Sequence, residues 1–368
     1  MRTLIVTTVH TPLDARIHHR QIRALVAAGV EVTYAAPWSA TGTEATAAGT
    51  GVATRDLPRS VGRSRLAALR AARALITAEG ADHDLVLLHD PELALAVAGQ
   101  LDELPPVVLD VHEDLLGSLP DRPWVPGPLR PLARRGARSL ERWAEGRLHL
   151  LLAEEGYRER FTGEHPVVPN LPWMPADPPV AGSVDRVVYV GRLSRGRGAE
   201  ELVAVADALV RAGGTRLELV GTVDADVRGL IEGADAAGIL RWHGFLPNEV
   251  ALQIVRGAVA GLSLLRDLPN YRGSMPTKVV EYLSYGVPAI TTPLPVAARL
   301  VDASGGGVVV PFGDVSAVVA AVRELADDRE RREAVGAAGR RYAAEHLSWD
   351  AEAPRFVAHL RRFAGTVS

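Results

Sequence analysis

Apolar positions in this chain fall into short runs separated by segments with helical spacing. Leu4 to Val9 is an apolar and β-branched run, Ile17 to Ala28 repeats apolar residues at helical intervals, and Val30 to Ala36 is apolar again after the stop at Gly29. The rhythm continues through Leu85 to Leu88, a helix opening at Pro91, Val107 to Val111, a long helix around Arg130 to Glu145, and Leu148 to Leu152. Strands that are apolar at nearly every position are buried on both faces, so the alternation predicts a parallel sheet with helices on each side.

Pro166, Pro169, Pro172, Pro175, Pro178 and Pro179 then interrupt any periodicity and mark a linker. The rhythm restarts with Val187 to Val190, a helix from about Ala199, Leu217 to Val220, Leu240 to Phe245, Val259 to Leu265, a helix from Pro276, Ala289 to Thr292 and Val308 to Val310. The predicted fold is α/β, with two Rossmann-like, doubly wound parallel-sheet domains. The first covers residues 1–167, the linker 168–183 and the second 184–348, while 349–368 is expected to be a helix crossing back to the first domain. Sheets of this kind bind ligands outside the carboxyl ends of their strands, so the two domains are expected to face a cleft that closes by a hinge.

Composition narrows this picture. A length of 368 residues suits two domains, and 47% hydrophobic with 23% charged residues is ordinary for a soluble protein. The net charge of −3 leaves no overall footprint for nucleic acid. Without cysteine there is no disulfide, thiolate chemistry or cysteine-ligated metal, and the histidines show no compact zinc spacing. The first residues do not form a signal-peptide core, and no run approaches the roughly 18 apolar residues of a membrane span. A cytoplasmic protein is expected. Arg122 to Trp143 mixes arginines with Trp124, Leu129, Leu132 and Leu140. It reads as an ordinary helix with one solvated face, and peripheral contact with an anionic inner membrane face is the alternative.

One residue stands apart. Of 41 basic residues, Lys278 is the only lysine. An ammonium is a compact point charge, whereas guanidinium is a broad planar fork, so a tight phosphate-facing niche can distinguish them. Pro276 suits the first turn of a helix, which places Lys278 and Glu281 at i and i+3 on one face near the positive helix end. A diphosphate for the ammonium and ribose hydroxyls for the carboxylate would fit; an intrahelical ion pair is the plainer reading. Upstream, the strand Val187 to Val190 enters Gly191-Arg192-Leu193-Ser194-Arg195-Gly196-Arg197-Gly198. Glycines in a strand-to-helix turn let backbone approach a phosphate, and Arg192 and Arg197 add donors; a glycine-rich turn with solvated arginines is the alternative.

These motifs, with His243-Gly244-Phe245-Leu246-Pro247 and Pro276-Thr-Lys278 through Glu281 to Gly286-Val-Pro288, resemble the donor half of retaining GT-B glycosyltransferases of glycosyltransferase family four. In the first half, Asp14-Ala-Arg16-Ile, His89-Asp-Pro-Glu92 and Leu109-Asp-Val-His-Glu-Asp114 resemble members that build bacterial surface polysaccharides. The resemblance implies a retaining, metal-independent transfer of a hexosyl group from a nucleoside diphosphate sugar to a hydroxyl acceptor, with no cofactor. It implies that Gly191, Arg192, Arg197, Lys278 and the Thr277 amide hold the diphosphate, with Arg197 standing where lysine is usual. Glu281 would hold the ribose, and His243, Gly244, Phe245 and Leu246 would frame the base. Gly273, Ser274, Met275 and Pro276 would line the donor, and His112 would face its sugar, with a buried or capping histidine as the alternative. Asp14, Arg16, His89 and Glu113 become acceptor-side candidates.

Two departures qualify that assignment. The family glutamate eight positions before Glu281 is Gly273 here, leaving Asn270, Tyr271, Arg272 and Ser274 as substitutes, and the glycine pair after the first strand is replaced by His10-Thr11-Pro12-Leu13-Asp14. They motivate the alternatives of a sugar-nucleotide-binding accessory subunit or a sugar-nucleotide epimerase. A dehydrogenase is disfavoured because the first strand-to-helix turn lacks the dinucleotide glycine pattern. Asp90, before Pro91, reads as a helix N-cap with a catalytic base as the alternative. Asp224-Ala-Asp226 reads as helix capping in preference to a metal-binding pair.

Overall fold

The computed structural model describes residues 1–43, 51–112, 130–177 and 185–366. They group into two compact units, Met1–Asn170 with Asp350–Ser368, and Leu171–Trp349. Unit 1 holds strands β1 (Arg2–Val6), β2 (Glu31–Ala36), β3 (Ala53–Asp56), β4 (Leu85–Leu88), β5 (Val107–Val111) and β6 (His149–Leu152). All pair in parallel in the order β3-β2-β1-β4-β5-β6. Leu4 and Val6 of β1, Val86 and Leu88 of β4 and Val107 and Leu109 of β5 share one core cluster. Every residue of β4 and β5 is buried, as their unbroken apolar runs require.

Unit 2 holds β7 (Arg186–Val190), β8 (Arg216–Val220), β9 (Leu240–Trp242), β10 (Gly261–Ser263), β11 (Ala289–Thr291) and β12 (Gly307–Val309). Their order is β12-β11-β10-β7-β8-β9, again all parallel. Numbered within each unit, both sheets read 3-2-1-4-5-6. Strand order therefore reverses between β1 and β4 and between β7 and β10, where a crevice opens at the carboxyl ends.

Local structure departs from the hydrophobic pattern in identifiable ways. The first strand ends at Val6 because Thr7 and Thr8 turn their hydroxyls onto Asp90. The expected helix from Ile17 opens as a π-helical turn, Ile17–Ile22, before the α-helix Arg23–Ala27. The run to Phe245 stops at Trp242, Gly244 takes a φ of 71°, and Phe245 is 73% exposed. Strand β3 and the helix Arg65–Glu79 do not stand out in the apolar pattern. The strand is a largely exposed edge, and the helix buries only Ala68, Ala72 and Ile76, so its inward stripe is too small to stand out.

The helix Arg130–Arg147 forms, with Arg134, Arg135, Arg138 and Arg142 exposed; residues 122–129 of the Arg122 to Trp143 segment lie outside the described residues. Among the described residues, no helix is long and apolar enough to cross a membrane. The helix Trp349–Phe363 buries Phe356 and Leu360. Within unit 1, Arg361 donates to the Ala28 carbonyl at 3.0 Å, and Phe363 stacks on His149 at 4.4 Å.

Candidate active site

In unit 2 the candidate site starts where β7 ends. Gly191 has a φ of 136°, and a Cβ there would lie 3.6 Å from Lys278 Cε and 3.7 Å from Nζ, so the missing side chain leaves backbone open beside the ammonium. Gly198, at φ 82°, caps the helix Ala199–Ala212 where any Cβ would overlap the Leu264 carbonyl. These two glycines let the turn hug the end of β10 and aim Arg197 inward. Its guanidinium lies 6.0 Å from the Tyr271 ring centroid. The Lys278 ammonium lies 5.1 Å from the centroid of Tyr189.

Lys278 opens the helix Thr277–Ser284, whose every residue from Lys278 onward is buried. Burial, and then the nearby Arg197 charge, push its pKa down to about 7 against the opposing pull of Glu281. Burial also pushes the Tyr189 hydroxyl up to about 12 although Arg197 opposes it. Tyr189 donates to the Arg192 carbonyl at 2.7 Å, and Tyr282 donates to the Leu262 carbonyl and accepts from the Val190 amide, both at 3.1 Å. Two buried tyrosines thus lock the floor of the site. Two like charges held together in a dehydrated niche repel each other, and a bound anion relieves both.

The remaining donor-side candidates separate. Glu281 is buried and accepts from Asn248 Nδ2 at 3.4 Å. Asn248 was not singled out by sequence, although it directly follows the His243 to Pro247 motif. His243 directs Nε2 to Glu218 at 2.9 Å, and its amide donates to the Leu219 carbonyl at 2.9 Å, so both its ring and its N–H are engaged. Gly244, Phe245 and Leu246 follow it in the turn after β9. The Thr277 amide donates to the Met275 carbonyl at 2.9 Å, Ser274 donates to the Asn270 carbonyl, and Pro276 stands one residue before the helix. Gly273 has an ordinary φ of −98° and open space around its Cβ position.

Arg192 differs from its expected role. Its guanidinium forms a two-pronged pair with Asp224, at 2.7 and 2.8 Å, while Arg195 reaches Asp226 at 3.2 Å. The Asp224 carboxylate stands at the N-cap position of Ala225–Ala236 without making a cap hydrogen bond. Asp224 thus takes the N-cap position and Asp226 the first turn, while their carboxylates balance the two arginines.

Unit 1 gathers a second cluster at the ends of β1, β4 and β5. Asp110, fully enclosed, accepts from Arg16 Nε at 2.7 Å and Arg16 Nη2 at 2.6 Å, and from Gln21 at 3.0 Å. Burial opposes its ionisation, but Arg16, His112 and His89 outweigh burial and hold the carboxyl well below its usual range. His89 Nδ1 lies 3.2 Å from Asp110, and burial lowers the pKa of that enclosed imidazole. Arg16 and His89 are thus turned inward onto Asp110, which corrects their placement as acceptor contacts. Asp14 accepts from the Arg16 and Ile17 amides and starts the π-helical turn. Glu113 lies outside the described residues.

The N-cap expectation for Asp90 is also overturned. Its carboxylate accepts from the Thr8 amide, from the Val9 amide at 3.1 Å and from the Thr7 and Thr8 hydroxyls at 3.0 Å, tying β4 to the turn after β1. His112 donates from Nδ1 to the Asp110 carbonyl at 3.0 Å and meets His10 through Nε2. His89, Asp110 and His112 offer ligand atoms within 4.8 Å of one another. Arg16 already neutralises the Asp110 carboxylate, so this constellation is an internal charge network and a poor seat for a cation.

The sheets and their paired switch points define the two-domain α/β architecture of the GT-B fold. Residues 176–342 match the family model described as Glycosyl transferases group 1. No curated protein matches the chain by sequence. Among solved structures, sucrose-phosphate synthase from Thermosynechococcus elongatus is 18% identical with a TM-score of 0.74, covering 100% of this chain and 99% of its own. HepE of Anabaena, solved in complex with UDP and glucose, is 13% identical with a TM-score of 0.73, covering 98% and 100%. WaaG, a glycosyltransferase involved in lipopolysaccharide biosynthesis, is 14% identical with a TM-score of 0.67, covering 97% and 99%.

Proposed function

We propose that this chain is a retaining glycosyltransferase that moves a hexosyl group from a nucleoside diphosphate sugar to a hydroxyl acceptor without a metal. The observation carrying this reading is the Arg197 and Lys278 pair beside the open backbone of Gly191, with buried Glu281 one helical turn further on. The family match over the same segment and the UDP and glucose bound by HepE support it.

The chemistry needed is stabilisation of a leaving diphosphate. As the bond from the anomeric carbon to phosphate oxygen breaks, charge grows on the diphosphate, and the two fixed cations oppose it without reorganising. The acceptor oxygen bonds to the anomeric carbon on the same face, and its proton passes to the departing phosphate oxygen. Glu281, steadied by Asn248, would accept from the ribose hydroxyls. The acceptor would be a glycan or lipid-linked precursor, with a small metabolite as the alternative class.

Thermal shifts with UDP, GDP and dTDP sugars, followed by NMR of donor consumption with and without EDTA, test this reading. One donor series should raise the melting temperature and be hydrolysed or transferred equally well in EDTA. Absence of both binding and turnover across the panel refutes it. Binding without turnover would indicate an accessory subunit, and donor isomerisation without an acceptor an epimerase.

A further inference from the structure

The turn that follows β1 carries a side chain whose position the transfer chemistry above leaves unused. His10 Nε2 lies 3.0 Å from His112 Nε2, with the ring centroids 4.8 Å apart. Two Nε2–H edges, or two Nε2 lone pairs, cannot face each other at that spacing: one Nε2 must carry a proton and the other must not. The His112 Nδ1 donates to the Asp110 carbonyl, which fixes that proton. A neutral His112 therefore presents a lone pair at Nε2 and receives a proton from His10; a charged His112 donates to His10 instead.

The surroundings suit one shared proton. His10 Nδ1 lies 3.8 Å from Asp14, and its Nε2 lies 3.6 Å from Asp90. His112 Nδ1 lies 3.4 Å from Asp110, which is itself held by Arg16, and the His89 ring is 5.7 Å from His112. Asp14, Asp90 and Asp110 thus face the two rings against the single guanidinium of Arg16. A proton held between the rings lies in a negative setting. The turn is fixed by Asp90, which accepts from the Thr8 and Val9 amides and so holds His10 in register.

We propose that His10 and His112 form one proton-sharing pair at the carboxyl ends of β1 and β5, with His10 the positioning residue that decides whether Nε2 of His112 presents a lone pair or a proton. Burial disfavours charge on His112, but contact with Asp110 outweighs it and raises the pKa, which favours the protonated ring. The histidine standing in place of the family's glycine turn is then a replacement with its own chemistry. The pair exists whatever the chain catalyses; only its consequence for turnover rests on the glycosyltransferase reading.

Imidazole nitrogen shifts of the full chain, followed by NMR from pH 5 to 9, test the pair directly. In the wild type the two Nε2 atoms should titrate in coupled steps. His10→Ala should turn His112 into a single independent titration and shift its midpoint by at least about half a unit. His10→Gln keeps a donor at the same reach but cannot relay a proton, so it should preserve the Nδ1–H tautomer of His112 while removing the second step. Independent wild-type titrations, or a His112 curve unchanged by His10→Ala, overturn the proposal; the wild-type measurement decides even if the alanine variant does not fold. Where turnover is measurable, His10→Ala should move the pH profile of kcat by a similar amount, with less than twofold change in donor KM. Coupled titrations in a chain that turns over no sugar nucleotide would leave the pair standing and refute the transferase reading alone.

Discussion

Lys278 should take up a proton when the donor binds. A fall from 10.5 to about 7 in its pKa corresponds to roughly 5 kcal/mol against the charged form, set by burial and by Arg197. Between those two values the unfolded chain keeps a proton that the folded chain has released, so stability without ligand rises with pH across that window. Below pH 7 the ammonium is charged in both states and the full penalty applies. A diphosphate that restores an ordinary pKa reverses the balance: at pH 8 an amine of pKa 7 is about one-tenth charged, so binding should take up about 0.9 proton. Calorimetry of the preferred nucleotide sugar in buffers of different ionisation enthalpy reads this number as a slope, since the donor's diphosphate diester does not itself titrate there. Lys278→Met should abolish the slope and raise the melting temperature of the free protein, because the aliphatic chain beside Tyr189 remains while the charge is removed. Lys278→Arg should lower that temperature, since guanidinium cannot shed its proton beside Arg197. Equal slopes for wild type and Lys278→Met would refute the reasoning.

Glu281→Gln should weaken nucleotide sugar affinity by about tenfold, as loss of one charge-assisted hydrogen bond implies, and unchanged affinity by calorimetry would remove its ribose role. Asp110→Asn should destabilise unit 1 by about 3–5 kcal/mol in urea, because the enclosed Arg16 guanidinium loses its counter-charge. The same depressed pKa means that Asp110 contributes stability above the ordinary carboxylate range and loses it as pH falls through its folded value, so the substitution should flatten the acid limb of the stability curve. Gly273→Glu fits without steric conflict and should leave the melting temperature within about 2 °C while changing the ranking of donor sugars; an unchanged ranking would show that the position does not read the sugar.

The parallel sheets were legible because β4, β5 and β7 are apolar almost throughout and flanked by helical spacing. Edge elements were not: Ala53–Asp56 is mostly solvated, and alanines carry much of the buried face of Arg65–Glu79. The glycine turn and the lone lysine, both legible as local motifs, lie in one neighbourhood. Arg192 shows the limit of such reading. Nothing in its local motif reveals that Asp224, 32 residues later, takes both prongs of the guanidinium. Asp90 carries the same lesson, because its four donors come from a turn more than eighty residues earlier. Charge partners brought together by parallel pairing are invisible to spacing rules.

The return of Asp350–Ser368 to unit 1 makes Leu171–Trp349 an insertion within that unit. Unit 2 is a continuous stretch and has all its strands before the last helix is synthesised, whereas unit 1 still lacks Phe356 and Leu360. The first unit to emerge is consequently the last to be completed. Completion of unit 1 waits on synthesis of the whole second unit, so the interval before the last helix docks is one of exposure to misassembly.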